Sequence, residues 1–160
     1  MATVLAIIDE TGVDARWLEL ELTESMLMDA SAKMIEKLHA LRCTGIQLAI
    51  NDFGTGFSSM SYLKTFPVSV LKIDRSFVRD LPHSAQDGAI TKAIIAMAKS
   101  LKMETVAEGI ETQEQGEFLR ASGCDKAQGY FYGKPVPATK IWELFNADKR
   151  ALIQSQPLCA

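Results

Sequence analysis

Leu18-Glu19-Leu20-Glu21-Leu22 alternates apolar and acidic residues at a period of two, the pattern of a strand with one face buried. Leu48-Ala49-Ile50, Val68 to Ile73, Thr105-Val106-Ala107 and Lys126 to Tyr130 are short runs bounded by turn or polar residues, and they predict four further strands. Helical spacing separates them: Ala30 to Leu41, with Met34, Ile35, Leu38 and Leu41 apolar, then Ala85 to Leu101, Thr112 to Ala121 and Ala138 to Phe145. Asp29 is placed to cap the first helix, Gly45 and Gly123 sit where C-terminal glycines belong, and Pro67 and Pro82 punctuate connections. Strand and helix alternate, which predicts an α/β fold with a parallel sheet. The pattern alone leaves an open doubly wound sheet and a (β/α)8 barrel equally available.

Composition narrows the class. The chain has 160 residues, 48% hydrophobic and 23% charged, which suits a single globular domain or part of one and argues against disorder and collagen-like repeats. A net charge of −3 gives no electrostatic footprint for a nucleic-acid polymer. The apolar run Val4 to Ile8 has no basic segment before it and ends at Asp9 and Glu10, too short for a membrane span, so no membrane insertion is expected. Cys43, Cys124 and Cys159 show neither CxxC spacing nor the density of a disulfide framework, consistent with free thiols in the cytoplasm. The residues after Asp148 read as a frayed tail, with the domain over 1–148 and the tail over 149–160.

Polar residues recur where the strands end. Glu21 lies late in the first, Asn51 and Asp52 close the second, Lys72 and Asp74 the third, Glu108 the fourth and Gln128 the fifth. In parallel α/β folds that end carries the chemistry, because the βα loops converge there. Each residue has an ordinary structural alternative: a loop cap for Asp52, a surface ion pair for Lys72, a solvated turn for Glu108. Together they form the oxygen-rich set that Mg2+ or Mn2+ prefers, suited to hydrolysis of a phosphate ester by metal-activated water. His39 and His83 lie outside the set, and no Ser or Cys has an evident base beside it.

Five segments then resemble a known family. Glu21-Leu22-Thr23-Glu24-Ser25, Asn51-Asp52-Phe53-Gly54-Thr55-Gly56-Phe57-Ser58-Ser59, Lys72-Ile73-Asp74-Arg75-Ser76-Phe77-Val78, Val106-Ala107-Glu108-Gly109-Ile110-Glu111-Thr112 and Gln128-Gly129-Tyr130-Phe131 are similar, in order and spacing, to signatures of the EAL family of bacterial cyclic-di-GMP phosphodiesterases. The resemblance implies a (β/α)8 barrel of which this chain holds about five βα units, with two divalent metals, Mg2+ or Mn2+, activating a water that opens cyclic-di-GMP to linear pGpG. By position, Glu21, Asp52 and Glu108 resemble metal-site carboxylates, and Asn51 stands where a further metal-binding aspartate is expected. Lys72 resembles the lysine that contacts the catalytic water, Gln128 a glutamine near it, and Glu24 the glutamate that steadies the loop after Asp52. Phe57 to Tyr62 resembles the family's dimerisation element.

Two departures point away from turnover. Asn51 is neutral where the family carries an acid, and no Glu-Ala-Leu motif precedes the Glu21 segment. A whole barrel takes about 250 residues, so roughly 90 residues and three strands have no counterpart, and the chain reads as a truncated domain with two raw sheet edges. The expectation is a weak or absent metal site, little or no hydrolysis, a homo-oligomer that covers an edge, and, as the alternative function, a non-catalytic module for cyclic-di-GMP sensing or protein contact.

Overall fold

The computed structural model describes residues 2–28, 31–54, 63–143 and 146. Five parallel strands form one sheet in chain order: β1 (Glu19–Thr23), β2 (Gln47–Phe53), β3 (Val70–Ile73), β4 (Glu104–Ala107) and β5 (Lys126–Ala127). Helices α1 (Ala2–Thr11), α2 (Glu24–Met28), α3 (Ala32–Cys43), α4 (Arg75–Val78), α5 (Ala85–Ser100) and α6 (Gln113–Ala121) stand before, between and after the strands, and residues 138–143 are helical. Sequential parallel order with crossover helices is the arc of a barrel rather than a doubly wound sheet, whose strand order reverses partway.

The two faces of the sheet differ as the alternation in β1 requires. Leu20 and Leu22 join the helix-side core with Leu48, Ile50, Leu71 and Ile73, the last four at most 1% exposed. Burying a side chain of this size stabilises by about 1.5–3 kcal/mol, so the outer face carries most of the driving force. On the inner face Ala49, Val70 and Val106 form a small buried apolar cluster among the described residues, and Glu19 and Glu21 are exposed.

Several local expectations are corrected. The cap of α3 is Ser31, whose hydroxyl accepts from the Met34 amide at 3.3 Å; Asp29 lies outside the described residues, and the helix starts at Ala32 rather than Ala30. The Val4 to Ile8 run is helical, and Val4 and Ile8, one turn apart, pack on the core. Strand pairing at Lys126 ends after Ala127, because the next residues turn back: Ile110 N donates to Gln128 O at 3.1 Å and Phe131 N to Ile110 O at 3.0 Å. The Phe57 to Tyr62 element, Thr55 to Ser59 and the tail also lie outside the described residues.

Candidate functional site at the strand ends

The register explains how one lysine reaches two strands. Glu21 is level with Ala49, Ala49 with Val70, and Lys72 with Val106. Same-face residues are two apart on a strand, so Glu21, Lys72 and Glu108 occupy successive rows of the inner face. The methyl group of Ala49 leaves room between them. Lys72 Nζ ion-pairs with Glu21 Oε1 and, at 2.6 Å, with Glu108 Oε1. Lys72 is 6% exposed, whereas the Glu21 and Glu108 side chains are 45% and 21% exposed. Burial works against the ammonium, and the hydrogen bonds to Glu108 and then Glu21 outweigh it, so Lys72 is held above the ordinary lysine range and stays charged.

Asn51 and Asp52 are adjacent, and in a regular strand they would face opposite ways. The β2–β3 register shifts between Ile50 and Phe53, and Asp52 takes a left-handed conformation with φ 53°. This bulge re-aims the second residue, so that the Asn51 side-chain amide donates to Asp52 Oδ2 at 3.3 Å. Asp74, the N-cap of α4, lies within hydrogen-bonding reach of Asp52. Burial pushes the Asp74 carboxyl up, but donation from the Ser76 hydroxyl and amide, with smaller help from Arg75 and Asp52, brings it below the usual aspartate value. Glu24 Oε1 accepts the Gly54 amide at 2.7 Å, so the start of α2 holds the chain just after Asp52.

Gln128 follows β5, fixed by its backbone: its N–H donates to Ala107 O at 2.8 Å. It borders two cavities. One, of about 410 Å³, runs along the inner face past Glu21 and Lys72 to Lys126 and Trp17. The other, of about 250 Å³, opens beside Glu108 between Arg75, Glu111 and Tyr130.

The donors suit a hard divalent cation, since all are oxygens and Asn51 Oδ1 is buried without a hydrogen-bond partner among the described residues. Their arrangement does not. Lys72 stands between Glu21 and Glu108, Asp52 associates with Asp74 instead, and among the described residues no three His, Cys, Asp or Glu side chains converge as a metal cage. The eight residues singled out in the sequence are thus brought to one end of the sheet as three groups: Glu21, Lys72 and Glu108; Asn51 and Asp52 with Asp74 beside them and Glu24 behind; and Gln128 at the rim. Arg75, Glu111 and Tyr130 were not singled out. Each lies inside a recognised segment, but nothing in linear order shows that they wall one cavity.

A family model described as EAL domain matches residues 1–135. The cyclic di-GMP phosphodiesterase NbdA of Pseudomonas aeruginosa is 45% identical over 140 residues, which are 88% of this chain and 18% of NbdA. The chain therefore spans about a fifth of the length of the curated relatives it matches. Among solved structures, the MucR phosphodiesterase of the same organism in complex with c-di-GMP superposes with a TM-score of 0.82 at 41% identity, over 88% of this chain and 57% of that one. A manganese and cyclic-di-GMP complex of Klebsiella pneumoniae BlrP1 gives 0.75 at 32% identity, over 82% and 34%.

Proposed function

Because the chain belongs to the EAL domain family, we propose that its strand-end site binds cyclic-di-GMP in the manner of a phosphodiesterase but hydrolyses it to pGpG very weakly or not at all. The observation that carries this reading is the Glu21–Lys72–Glu108 bracket beside Asn51. Two-metal hydrolysis needs both cations close enough to polarise one water and the scissile phosphate. Here two of the acids neutralise a buried ammonium, and a third position is an amide. In this reading Glu21, Asn51, Asp52 and Glu108 face the metal position, and Mg2+ or Mn2+ is held weakly or not at all. When bound, the metal would supply the acidified water. Lys72 and Gln128 orient groups around the scissile phosphate, but an ammonium does not replace the cations that acidify a water. Glu24 keeps the Gly54 turn in place.

The inner-face cavity is within the size range of small-ligand sites and reaches Glu21, Lys72 and Gln128 from the strand starts at Glu19, Gln47 and Lys126. The reading includes a cytoplasmic location and self-association, since β1 and β5 are the edges of the sheet and open edges invite pairing with a second copy. Light scattering across micromolar concentrations tests the latter, and a stable monomer would exclude it. The same scaffold used without turnover, for sensing or for protein contact, is the second reading, and the lysine bracket favours it over efficient hydrolysis.

The test is calorimetric titration of the 160-residue chain with cyclic-di-GMP, followed by incubation with Mg2+ or Mn2+ and chromatography for pGpG. Binding with product no higher than the protein-free background is expected. Rapid pGpG formation would overturn the impaired-site reading, and absence of binding would overturn the ligand.

A further inference from the structure

The two edges of the sheet are uncovered, and they differ in charge. β1 carries Glu19 and Glu21 on its inner face, both exposed, and follows directly on Trp17, which is 83% exposed. On the other side, every residue from Gln128 to Glu143 except Gly129 is exposed, Phe131, Tyr132, Ile141 and Trp142 among them. Outward aromatic and aliphatic surface on this scale marks a face that a protein partner covers. The inner trough of about 410 Å³ runs from one edge to the other, with Trp17 and Glu19 at its β1 side and Lys126 and Gln128 at its β5 side. Residues 1–24 hold six carboxylates against one arginine, and Arg16 is itself paired with Asp14 at 2.6 Å. Residues 126–142 hold Lys126, Lys134 and Lys140 and no acid. Lys126 meets Glu104 at 2.9 Å but keeps 55% of its side chain exposed, so its ammonium retains donors for a further acceptor.

This asymmetry decides which edges meet. Charge pointing inward from an edge strand opposes pairing with an identical edge. Pairing β1 with β1 of a second copy would set Glu19 and Glu21 against the same two residues, and like charges placed opposite one another destabilise a strand pair. Pairing β5 with β5 would bring the lysines together over a strand of two residues. Pairing β1 with β5 of the second copy joins opposite charges and continues the parallel order of the sheet. Two copies related by a twofold axis along the trough make that contact twice and leave no edge open, the closed form of a heterologous interface. Resting on the self-association proposed above, and independent of cyclic-di-GMP binding, we infer that the partner is a second copy of this chain. Its β5 edge and the segment after it dock against β1, so that each acidic edge meets a basic one and the two inner faces close over a shared trough.

The experiment follows the mass of the 160-residue chain by light scattering over a dilution series at low salt, where wild type is expected to form a dimer that weakens as salt is added. Glu19→Lys sets lysine against lysine at the contact, and Lys126→Glu sets acid against acid. Each variant alone should associate roughly tenfold more weakly than wild type, and an equimolar mixture of the two should recover wild-type affinity, because both contacts then join opposite charges. Lys126→Glu also places a second acid beside Glu104, so a measurement on wild type stands beside it in case that variant fails to fold by circular dichroism. A carbodiimide, which joins a carboxylate to an amine in contact with it, is applied to a mixture of unlabelled and heavy-nitrogen-labelled chains. Peptides of mixed label are expected to link Glu19 or Glu21 to Lys126. Mixed-label links confined to other segments, or a variant mixture no tighter than its components, overturn the β1 to β5 contact while leaving self-association standing. Masses above the dimer overturn closure by two copies, and a monomer throughout overturns self-association and this contact with it.

Discussion

Replacing Lys72 with Met tests whether this ammonium occupies the centre of the acid site. Lys72→Met keeps the length of the buried stem and removes the charge. The Glu21 and Glu108 oxygens contact the same nitrogen, so they lie within the span of two hydrogen bonds of each other. Two unit charges about 5 Å apart repel by about 3 kcal/mol at an effective dielectric of about 20. Solvent screens part of this, because the Glu21 side chain is 45% exposed. The variant should therefore lose about 1–3 kcal/mol in urea denaturation with EDTA present. A divalent cation could then enter between the freed carboxylates. At a concentration 100 times its dissociation constant it would restore about 2.7 kcal/mol. Millimolar Mg2+ or Ca2+ should accordingly stabilise Lys72→Met and leave wild type nearly unchanged. The folded-state pKa of Lys72 lies above its ordinary 10.5. Its contribution is thus fully present below pH 10.5 and is lost as pH rises through the higher folded value. The gap between wild type and variant should hold steady from pH 7 to about pH 9 and narrow only in strong alkali. A variant as stable as wild type in EDTA, or an equal response of both to the cation, would refute the idea that Lys72 holds the acids together.

Other substitutions probe the frame around the site. Glu24→Ala leaves the Gly54 amide without its 2.7 Å acceptor and should cost about 1–2 kcal/mol in chemical denaturation, with faster amide exchange at Gly54. Gly129→Ala meets Ile110 backbone atoms and should lower stability by at least about 2 kcal/mol while reshaping the cavity below it. Asp125 accepts the Thr105 amide at 2.9 Å and hydroxyl at 2.7 Å; burial raises its pKa, but these bonds outweigh burial and bring it below 3.8. That contribution is present above pH 3.8 and is lost as pH falls through the lower folded value, so Asp125→Asn should be less stable than wild type at pH 7 and match it near pH 2.

The fold was legible wherever a single face decided a residue's character. The β1 alternation and the short apolar runs located all five strands, because inner and outer faces of the sheet differ sharply in polarity. The helical spacing over Thr112 to Ala121 matches the observed Gln113–Ala121 helix, although the capping box that Thr112 and Gln115 form at its start was not read from the sequence. Ends governed by competing local acceptors were less so. Ser31 rather than Asp29 caps α3, and either side chain could serve in principle. β5 was overestimated because Gly129 and the bonds to Ile110 end the pairing, and those bonds come from a loop twenty residues earlier in the chain.

The site was legible as a list of residues but not as a set of contacts, and the reason lies in sheet geometry. Polar residues at strand ends announce themselves because apolar residues are the rule there. Which of them meet depends on register, and register between parallel strands is set by packing on both sides of long crossovers. Lys72 stands one row beyond Glu21, with β2 between their strands and the small Ala49 level with Glu21, so the lysine reaches Glu21 diagonally across that strand. Asn51 and Asp52 associate only because one extra residue enters β2 and turns Asp52 to φ 53°. The sequence contains both causes, a small residue and an aspartate tolerant of left-handed backbone, but neither states its consequence until the neighbouring strand is in place. Buried strand neighbours such as Leu22, Leu71, Ile73 and Ala107 fix the rows on which Glu21, Lys72 and Glu108 stand, so the backbone of three adjacent strands, and not the side chains alone, brings the two carboxylates within reach of one ammonium.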